Sequence, residues 1–199
     1  MPALYITHPE VVIDPAVAPP RWGLSDLGRA RAEAFAARDL VPHATPIFAS
    51  TEPKASQLAE IIASRSGSVV MVRRAFGEND RSSTGYLAGA SFEAMVDRFF
   101  GNPDHSQDGW ESASDAQRRI VAAVREAIAE AGKQPVVFCG HGAVGTLLKC
   151  HVGGRPIARH EDQRVMAARG GGNCFVFELA PLRLISDWTA MEDCAGLRG

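Results

Sequence analysis

The stretch Leu4-Tyr5-Ile6-Thr7-His8-Pro9-Glu10 decides how the rest of the chain is interpreted. A short apolar run ends there on a histidine followed at once by a proline, as expected where a parallel strand passes into a loop. In open α/β folds ligands bind at this carboxyl edge, because strand ends fix side-chain positions while loops supply shape. His8 equally suits a strand that merely ends, so it becomes a site residue only if partners come from elsewhere in the chain.

The composition is that of an ordinary globular domain. The chain has 199 residues, 46% hydrophobic and 22% charged, with a formal net charge of -2. This length favours one domain, predicted to span residues 1–199. The lack of a basic bias argues against a nucleic-acid partner or an anionic membrane surface, and no apolar run reaches the length of a membrane span. With no signal-like segment after Met1, the chain is predicted to be cytoplasmic.

The four cysteines indicate neither a disulfide framework nor a metal site. They are widely spaced, with no CxxC pair and no His/Cys cluster at zinc-ligand spacing. Cys139 and Cys174 lie in apolar runs, where a free cysteine behaves as a small hydrophobic residue. We therefore expect all four to be reduced, and we expect no metal ion to be bound.

Segments of strand length alternate with segments of helical periodicity. Helices are predicted where a capping residue or a proline precedes apolar residues spaced by three and four, as at Ser25 and Pro53. Strands are predicted over 46–50, 69–72 and 134–139, helices over 25–40, 91–100 and 112–131 and from 53 and 142, and a hairpin over 173–188. This alternation predicts a three-layer α/β/α sandwich with a mostly parallel central sheet, in which residues of about 77–110 form a small cap insertion.

The glycines after the clearest strand leave two interpretations open. Gly140, Gly142 and Gly145 have the GxGxxG spacing, but the acidic strand end that a dinucleotide site needs about 20 residues later is missing. The N–H groups that begin the following helix would suit a phosphate beside His141. The alternative is that the glycines only make a tight turn from strand to helix.

Together these features resemble the histidine phosphatase superfamily, the phosphoglycerate-mutase-like proteins, over nearly the whole chain. The resemblance rests on the strand that ends at His8, on Trp22-Gly23-Leu24-Ser25-Asp26-Leu27-Gly28, on Ala49-Ser50-Thr51-Glu52-Pro53-Lys54-Ala55-Ser56-Gln57-Leu58-Ala59, on Glu78 after the third strand, and on Cys139-Gly140-His141-Gly142. No single segment is specific, but their order and spacing together are.

The resemblance implies a covalent mechanism in which His8 attacks a phosphoryl group that water then removes. His141 would contact the phosphoryl oxygens, and Glu78 would protonate the leaving group, with Asp80 as the substitute acid. A neutral imidazole is a competent nucleophile, and fixed cations and N–H groups can neutralise the transferred oxygens, so neither a metal nor another cofactor is expected. The acid would need a raised pKa. The expected partner is a small phosphorylated substrate or inorganic phosphate.

Two positions depart from the family pattern. The family has Arg-His-Gly where this chain has Thr7-His8-Pro9, and the later family arginine is matched by Lys54. Arginine binds phosphate with a bidentate fork, whereas lysine offers a point charge and threonine a hydroxyl, so the substrate-binding role passes to weaker groups. Losing one donor to a developing charge costs about 10²–10³ in rate. Arg21 and Arg81 are the candidate replacement cations, with a solvated surface position as the alternative for each.

Two functional hypotheses remain. The first is a metal-independent phosphatase that hydrolyses a small phosphomonoester through a phosphohistidine on His8. The second is a catalytically weakened or inactive family member that binds a phosphorylated ligand or a protein partner in the same pocket. Residues 77–110 would select the substrate, and the sequence leaves both the substrate and the oligomeric state open.

Overall fold

One mixed sheet runs through the computed structural model, which describes residues 1–197. Its strands are β1 (Pro2–Thr7), β2 (Ile47–Ala49), β3 (Val70–Val72), β4 (Val136–Gly140), β5 (Asn173–Leu179), β6 (Leu182–Leu184) and β7 (Thr189–Ala190). The order is β3-β2-β4-β1-β5-β6, with β7 paired to β5. The first four strands are mutually parallel, whereas β5 runs antiparallel to β1, β6 and β7. The prediction of a mostly parallel sheet is confirmed.

The helices begin at the signals that the sequence provides. They are α1 (Asp26–Ala37), α2 (Pro53–Ser66), α3 (Gly89–Gly101), α4 (Ala113–Ala131), α5 (Gly142–Gly153) and the single-turn α6 (Gln163–Met166). The hydroxyls of Ser25 and Ser112 accept N–H groups of the first turns of α1 and α4, each at 3.1 Å, and Pro53 opens α2. The four residues of α6 are too few to show a helical period in the sequence.

Helices cover both faces of the sheet, which confirms the three-layer α/β/α architecture. Along β1, Ala3 and Tyr5 pack into an apolar cluster with α3, α4 and α5, whereas Leu4 and Ile6 pack into a second cluster with α1 and α2. Successive side chains of a strand point to opposite faces, so a strand covered on both sides is apolar throughout. His8, which follows the last residue of β1, is therefore placed at the edge of the sheet.

Two expectations from composition can be compared with the structure. The four cysteines are free and buried, which agrees with a structural role. Within residues 1–197, no helix combines the length and the apolar character needed to cross a membrane.

A buried ion cluster anchors the chain between α5 and α6. The ammonium of Lys149, which is fully buried, lies 2.5 Å from carboxylate oxygens of both Glu161 and Asp187. Arg155 contacts the same two carboxylates at 3.0 Å and 2.5 Å. Buried charges persist only when paired in this way, so the cluster fixes the chain immediately before α6.

Candidate active site

The two histidines lie side by side at the carboxyl edge of the sheet. β1 and β4 are adjacent parallel strands whose pairing ends with Thr7 opposite Gly140, and the next residue in each strand is the histidine. The His8 and His141 rings meet edge to face, with centroids 5.3 Å apart and planes at 69°. The N–H of His8 donates to the carbonyl of Gly140 at 3.0 Å, which continues the strand pairing to His8 itself.

The His8 ring is a neutral imidazole with a defined tautomer. Its Nδ1 lies 2.9 Å from the carbonyl oxygen of Pro9. Because a carbonyl only accepts, Nδ1 carries the proton and Nε2 carries the lone pair. Burial and the nearby Lys54 ammonium lower the pKa of His8 from 6.5 to about 4. Near pH 7 its Nε2 is therefore available for nucleophilic attack.

This low pKa predicts how stability depends on acid. The unfolded chain binds a proton at His8 below pH 6.5 but the folded chain only below about pH 4, so stability falls as the pH is lowered through that window. Denaturant midpoints measured from about pH 7 to pH 4.5 should decrease less steeply for His8→Asn than for the wild type. Parallel midpoint curves for the two proteins would show that burial does not hold His8 neutral.

His141 is fully buried, and its ring has no hydrogen-bond partner among the described residues. Glu52 Oε1 lies 3.4 Å from its Nε2, which brings a carboxylate close without forming a hydrogen bond. Burial lowers the pKa of His141 well below its usual value. The ring is thus neutral, unpaired and fully buried beside His8, and it lines neither of the pockets that His8 lines.

Tyr5 fixes the main chain of His141. The Tyr5 hydroxyl donates to the carbonyl of His141 and accepts its N–H, both at 3.1 Å. A Cβ atom on Gly140 would lie 2.3 Å from the Tyr5 hydroxyl, and one on Gly145 would lie 2.4 Å from the Tyr5 ring. These two glycines are therefore required by the packing of Tyr5. This favours the interpretation in which they have a structural role where β4 passes into α5.

Glu78 occupies the N-terminus of α5. Its carboxylate accepts the N–H groups of Ala143 and Val144 at 3.1 Å and 3.0 Å. The main-chain N–H groups that the sequence suggested for binding a phosphate are thus hydrogen-bonded to the Glu78 carboxylate. Burial alone would raise the pKa of Glu78, but the Arg81 guanidinium and the two N–H groups favour the ionised form and lower it. The raised pKa expected of an acid is therefore not found, and the group is an ionised carboxylate.

Arg119 of α4 holds the loop that carries Glu78. Its guanidinium donates to the carbonyl oxygens of Ala75, Gly77 and Glu78 at 2.9 Å, 3.0 Å and 3.2 Å. It also pairs in a bidentate manner with Glu111, at 2.9 Å and 2.7 Å. Five donors in a rigid fork suit this task, which a lysine could not perform.

Replacing Arg119 with methionine is expected to lower the free energy of unfolding by about 3 kcal/mol, since three carbonyls lose a charged donor at about 1 kcal/mol each. Denaturant unfolding measures this loss. The matched control is Arg118→Met, because Arg118 is exposed and pairs with Asp115 on the surface, and a surface pair is worth about 0–1 kcal/mol. Equal losses for the two variants would contradict the assigned role of Arg119.

Lys54 reaches the site as part of an ion pair. Its Nζ lies 2.6 Å from Glu52 Oε2 and 2.8 Å from the carbonyl of Pro19. The other oxygen of Glu52 accepts the N–H of Glu78 at 3.0 Å. Glu52 therefore links Lys54 to the Glu78 loop and partly neutralises the cation. Glu52 was not predicted as a site residue, although its position two residues before Lys54 was a visible signal.

Four predicted site residues do not line the cavity beside His8, as far as residues 1–197 show, and the first of them is the fully buried His141. Thr7 is fully buried, and its hydroxyl donates to Gln163 Oε1 at 2.8 Å. Arg21 is exposed at the end of a short turn, so it does not replace a missing guanidinium. Asp80 is exposed and accepts the N–H of Ser82 at 2.8 Å, which lowers its pKa and leaves it unsuited as the substitute acid.

This cavity has two lobes, each of about 340 Å³, and opens on His8. The residues common to both lobes are His8, Val11, Ile13, Arg81, Phe92, Trp110 and Arg164. One lobe extends to Lys54, and the other extends to Glu78, Asn79 and Gln163. The residues predicted to form a cap, 77–110, supply part of the wall of both lobes.

Three arginines bring positive charge to the cavity: Arg169 lines one lobe, and Arg81 and Arg164 line both. The guanidinium of Arg81 lies 5.5 Å from the ring centre of Phe92 and 5.6 Å from that of Trp110, and that of Arg164 lies 5.3 Å from Phe92. In the described part of the chain, Arg81 forms no ion pair, and Arg164 pairs with Glu93 but leaves its Nη1 without a partner. Arg81, a predicted replacement cation, thus lines the cavity, as does Arg164, which was not predicted.

Comparisons with known proteins agree with this geometry. A sequence model described as the histidine phosphatase superfamily (branch 1) matches residues 18–173. No curated protein sequence matches the chain significantly. A solved structure of a mycobacterial glucosyl-3-phosphoglycerate phosphatase with inorganic phosphate is 21% identical, with a TM-score of 0.77, covering 97% of this chain and 99% of that chain. YhfR of Bacillus stearothermophilus is 18% identical, with a TM-score of 0.75 and coverages of 92% and 94%.

At these identities the structural similarities show the fold alone. The sequence match runs from the turn before α1 to the first residue of β5, and it includes Lys54, Glu78 and His141. It covers well over half of the chain. The protein therefore belongs to the histidine phosphatase superfamily, branch 1.

Proposed function

We propose that the protein is a phosphatase that hydrolyses a small phosphomonoester through a phosphohistidine on His8, without a metal ion. The observation that carries the proposal is the state of the His8 ring. Its Nδ1 proton is bound by the carbonyl of Pro9 at 2.9 Å, and its pKa of about 4 leaves Nε2 unprotonated beside a cavity. Solved phosphatases of the same fold, one of them with bound inorganic phosphate, support the reaction class.

Groups along the cavity can bind a phosphoryl dianion. Arg81 and Arg164 line both lobes, and Lys54 lines one of them. Asn79 is 4% exposed, and its side-chain Nδ2 has no hydrogen-bond partner among the described residues. Cations and N–H groups held in place before the reaction stabilise the charge that develops on the transferred oxygens.

The proposed reaction has two steps. In the first, the lone pair of His8 Nε2 forms a bond to phosphorus, and the electron pair of the ester P–O bond leaves with the alkoxide or phenolate, which solvent protonates. In the second, a water oxygen attacks phosphorus, the P–N bond breaks, and its electron pair returns to Nε2. The proton of the water passes to Glu78, which can accept it because its lowered pKa leaves it ionised, and Glu78 then releases the proton to solvent.

Steady-state turnover of an aryl phosphate tests the proposal. Aryl esters are chosen because their leaving groups need no acid, and Glu78 is ionised. We expect release of para-nitrophenolate that a chelator does not reduce, and an acid-labile, base-stable phosphoprotein after rapid quenching. No turnover and no phosphoprotein across a panel of aryl and alkyl phosphates would overturn it.

One observation favours the alternative, a family member that binds a phosphorylated ligand without turning it over. Glu52 lies 2.6 Å from the Lys54 ammonium, and Glu78 brings a second carboxylate close to the two histidines, so these groups oppose the binding of an anion there. Calorimetric binding of inorganic phosphate together with absent turnover would establish this alternative. Turnover with a trapped phosphohistidine would exclude it.

A further inference from the structure

Thr7 holds the side-chain amide of Gln163. The Thr7 hydroxyl oxygen accepts the N–H of Asn173 at 2.9 Å. Its proton is then directed to Gln163 Oε1, which lies 2.8 Å away. All three residues are buried, with exposed fractions of 0% for Thr7 and Asn173 and 7% for Gln163. A buried polar network of this kind fixes the orientation of its members.

Asn173 independently determines which way the Gln163 amide faces. Its Oδ1 accepts the N–H of Ala168 at 3.0 Å, and its Nδ2 donates to the carbonyl of Ala168 at 2.7 Å. A main-chain N–H and carbonyl cannot exchange roles, so the Asn173 amide has one orientation. Its Nδ2 also donates to Gln163 Oε1 at 2.9 Å. Gln163 Oε1 therefore receives two donors, and its Nε2 must face the other way.

The Nε2 group of Gln163 faces the start of α5. A Cβ atom on Gly142 would lie only 2.2 Å from it, so the second glycine of the motif leaves room for this amide. Gln163 and Gly142 line the same lobe of the cavity as His8. Within the described residues Nε2 donates no hydrogen bond. Because Nε2 lies at the wall of this lobe and has no protein partner among the described residues, a ligand or a water can complete it.

We propose that Gln163 Nε2 donates to a phosphoryl oxygen in this site, as the neutral replacement for the donor that Thr7 does not supply. The proposal deepens the proposed function and rests on it. Asp162, whose carboxylate pairs with Arg159 and accepts the N–H of Arg164 at 3.1 Å, holds the first turn of α6 in place. The amide is thus fixed by Thr7, Asn173 and the chain before it, as a preorganised donor requires.

The test compares Gln163→Glu with the wild type. Glutamate keeps an oxygen for Thr7 and Asn173 but replaces Nε2 with an oxygen that cannot donate. We expect kcat/KM for para-nitrophenyl phosphate to fall by about 10²–10³, and binding of inorganic phosphate in calorimetry to weaken at least tenfold. The charge-matched control is Gln134→Glu, since Gln134 is exposed before β4, and it should change neither quantity. Wild-type kinetics and phosphate affinity in a folded Gln163→Glu protein would overturn the proposal.

A measurement on the wild type covers the case in which Gln163→Glu does not fold. The side-chain N–H₂ resonances of Gln163 should move in nitrogen–proton correlation NMR when phosphate is added, and saturate with the same Kd as the calorimetric binding. Resonances that stay unmoved at saturating phosphate would overturn the proposal. If the wild type bound phosphate without turning over any ester, the proposed phosphatase activity would be wrong. The shifts of the Gln163 N–H₂ resonances would still show whether this amide contacts phosphate. No phosphate binding by the wild type would overturn both.

Discussion

Replacing His8 with alanine is expected to abolish turnover of aryl phosphates, with a loss on the order of 10³-fold or more. The reason is that the covalent route needs a ring nitrogen that is both unprotonated and open to the cavity. His8 lines the cavity, and its contact with Pro9 and its pKa of about 4 leave Nε2 unprotonated. Initial rates with para-nitrophenyl phosphate measure the loss, and rapid quenching should show no acid-labile phosphate on the protein.

The matched control is His105→Ala, because His105 is exposed and lies outside the cavity. It should keep its rate within about twofold, as expected of a surface substitution. Thermal unfolding of both variants separates loss of chemistry from loss of structure. If a folded His8→Ala protein still acquired acid-labile phosphate, the nucleophile would be another residue and the proposed mechanism would be wrong.

The placement of His8 and His141 could be predicted because it depends on local pattern. Each follows an apolar run directly, and the carboxyl ends of parallel strands share one edge of a sheet whatever their order in the chain. The starts of the helices were predictable for a similar reason, since Ser25 and Pro53 act on the residues immediately after them.

Gln163 and Arg164 could not be assigned to the site from the sequence. They lie in a one-turn helix, which is too short to show a period, and they meet Thr7 and Phe92 only through long-range packing. The sequence showed that Thr7 carries no charge. It could not show that the Thr7 hydroxyl points away from the cavity to hold an amide that points toward it.

The sequence identified the charged residues of the site, but it could not show how they are paired or in which direction their pKa values shift. Lys54 was identified as a site cation, and Glu52 stands two residues before it, but the contact of Lys54 with the Pro19 carbonyl depends on long-range packing of α2. Glu78 was identified as a titrating group. The direction of its pKa shift depends on two N–H groups at the start of α5, which come from a distant part of the chain.

Replacing Glu78 with glutamine is expected to lower the steady-state rate on aryl phosphates by about 10²–10⁴ and to make the phosphoprotein accumulate. Glutamine cannot take the proton of the attacking water, whereas attack by His8 on an ester with a good leaving group needs no proton transfer. Stopped-flow traces should therefore show a burst of para-nitrophenolate followed by slow turnover. Its N–H₂ also faces an N–H of Ala143 or Val144, which should reduce stability by about 1–3 kcal/mol.

Asp80→Asn is the matched control, since it makes the same chemical change in an exposed carboxylate two residues later in the same loop, and it should leave both phases unchanged. The two phases also decide between the proposed base and the acid implied by the family resemblance. A base in the second step leaves the burst intact and slows the steady-state phase. An acid in the first step leaves aryl esters nearly unaffected and prevents phosphoprotein formation from alkyl esters, whose leaving groups need the proton. A near-wild-type rate on the aryl ester, with no phosphoprotein trapped from an alkyl ester, would therefore return Glu78 to the role of acid, and it would require phosphate binding to raise its pKa above that of the ligand-free protein.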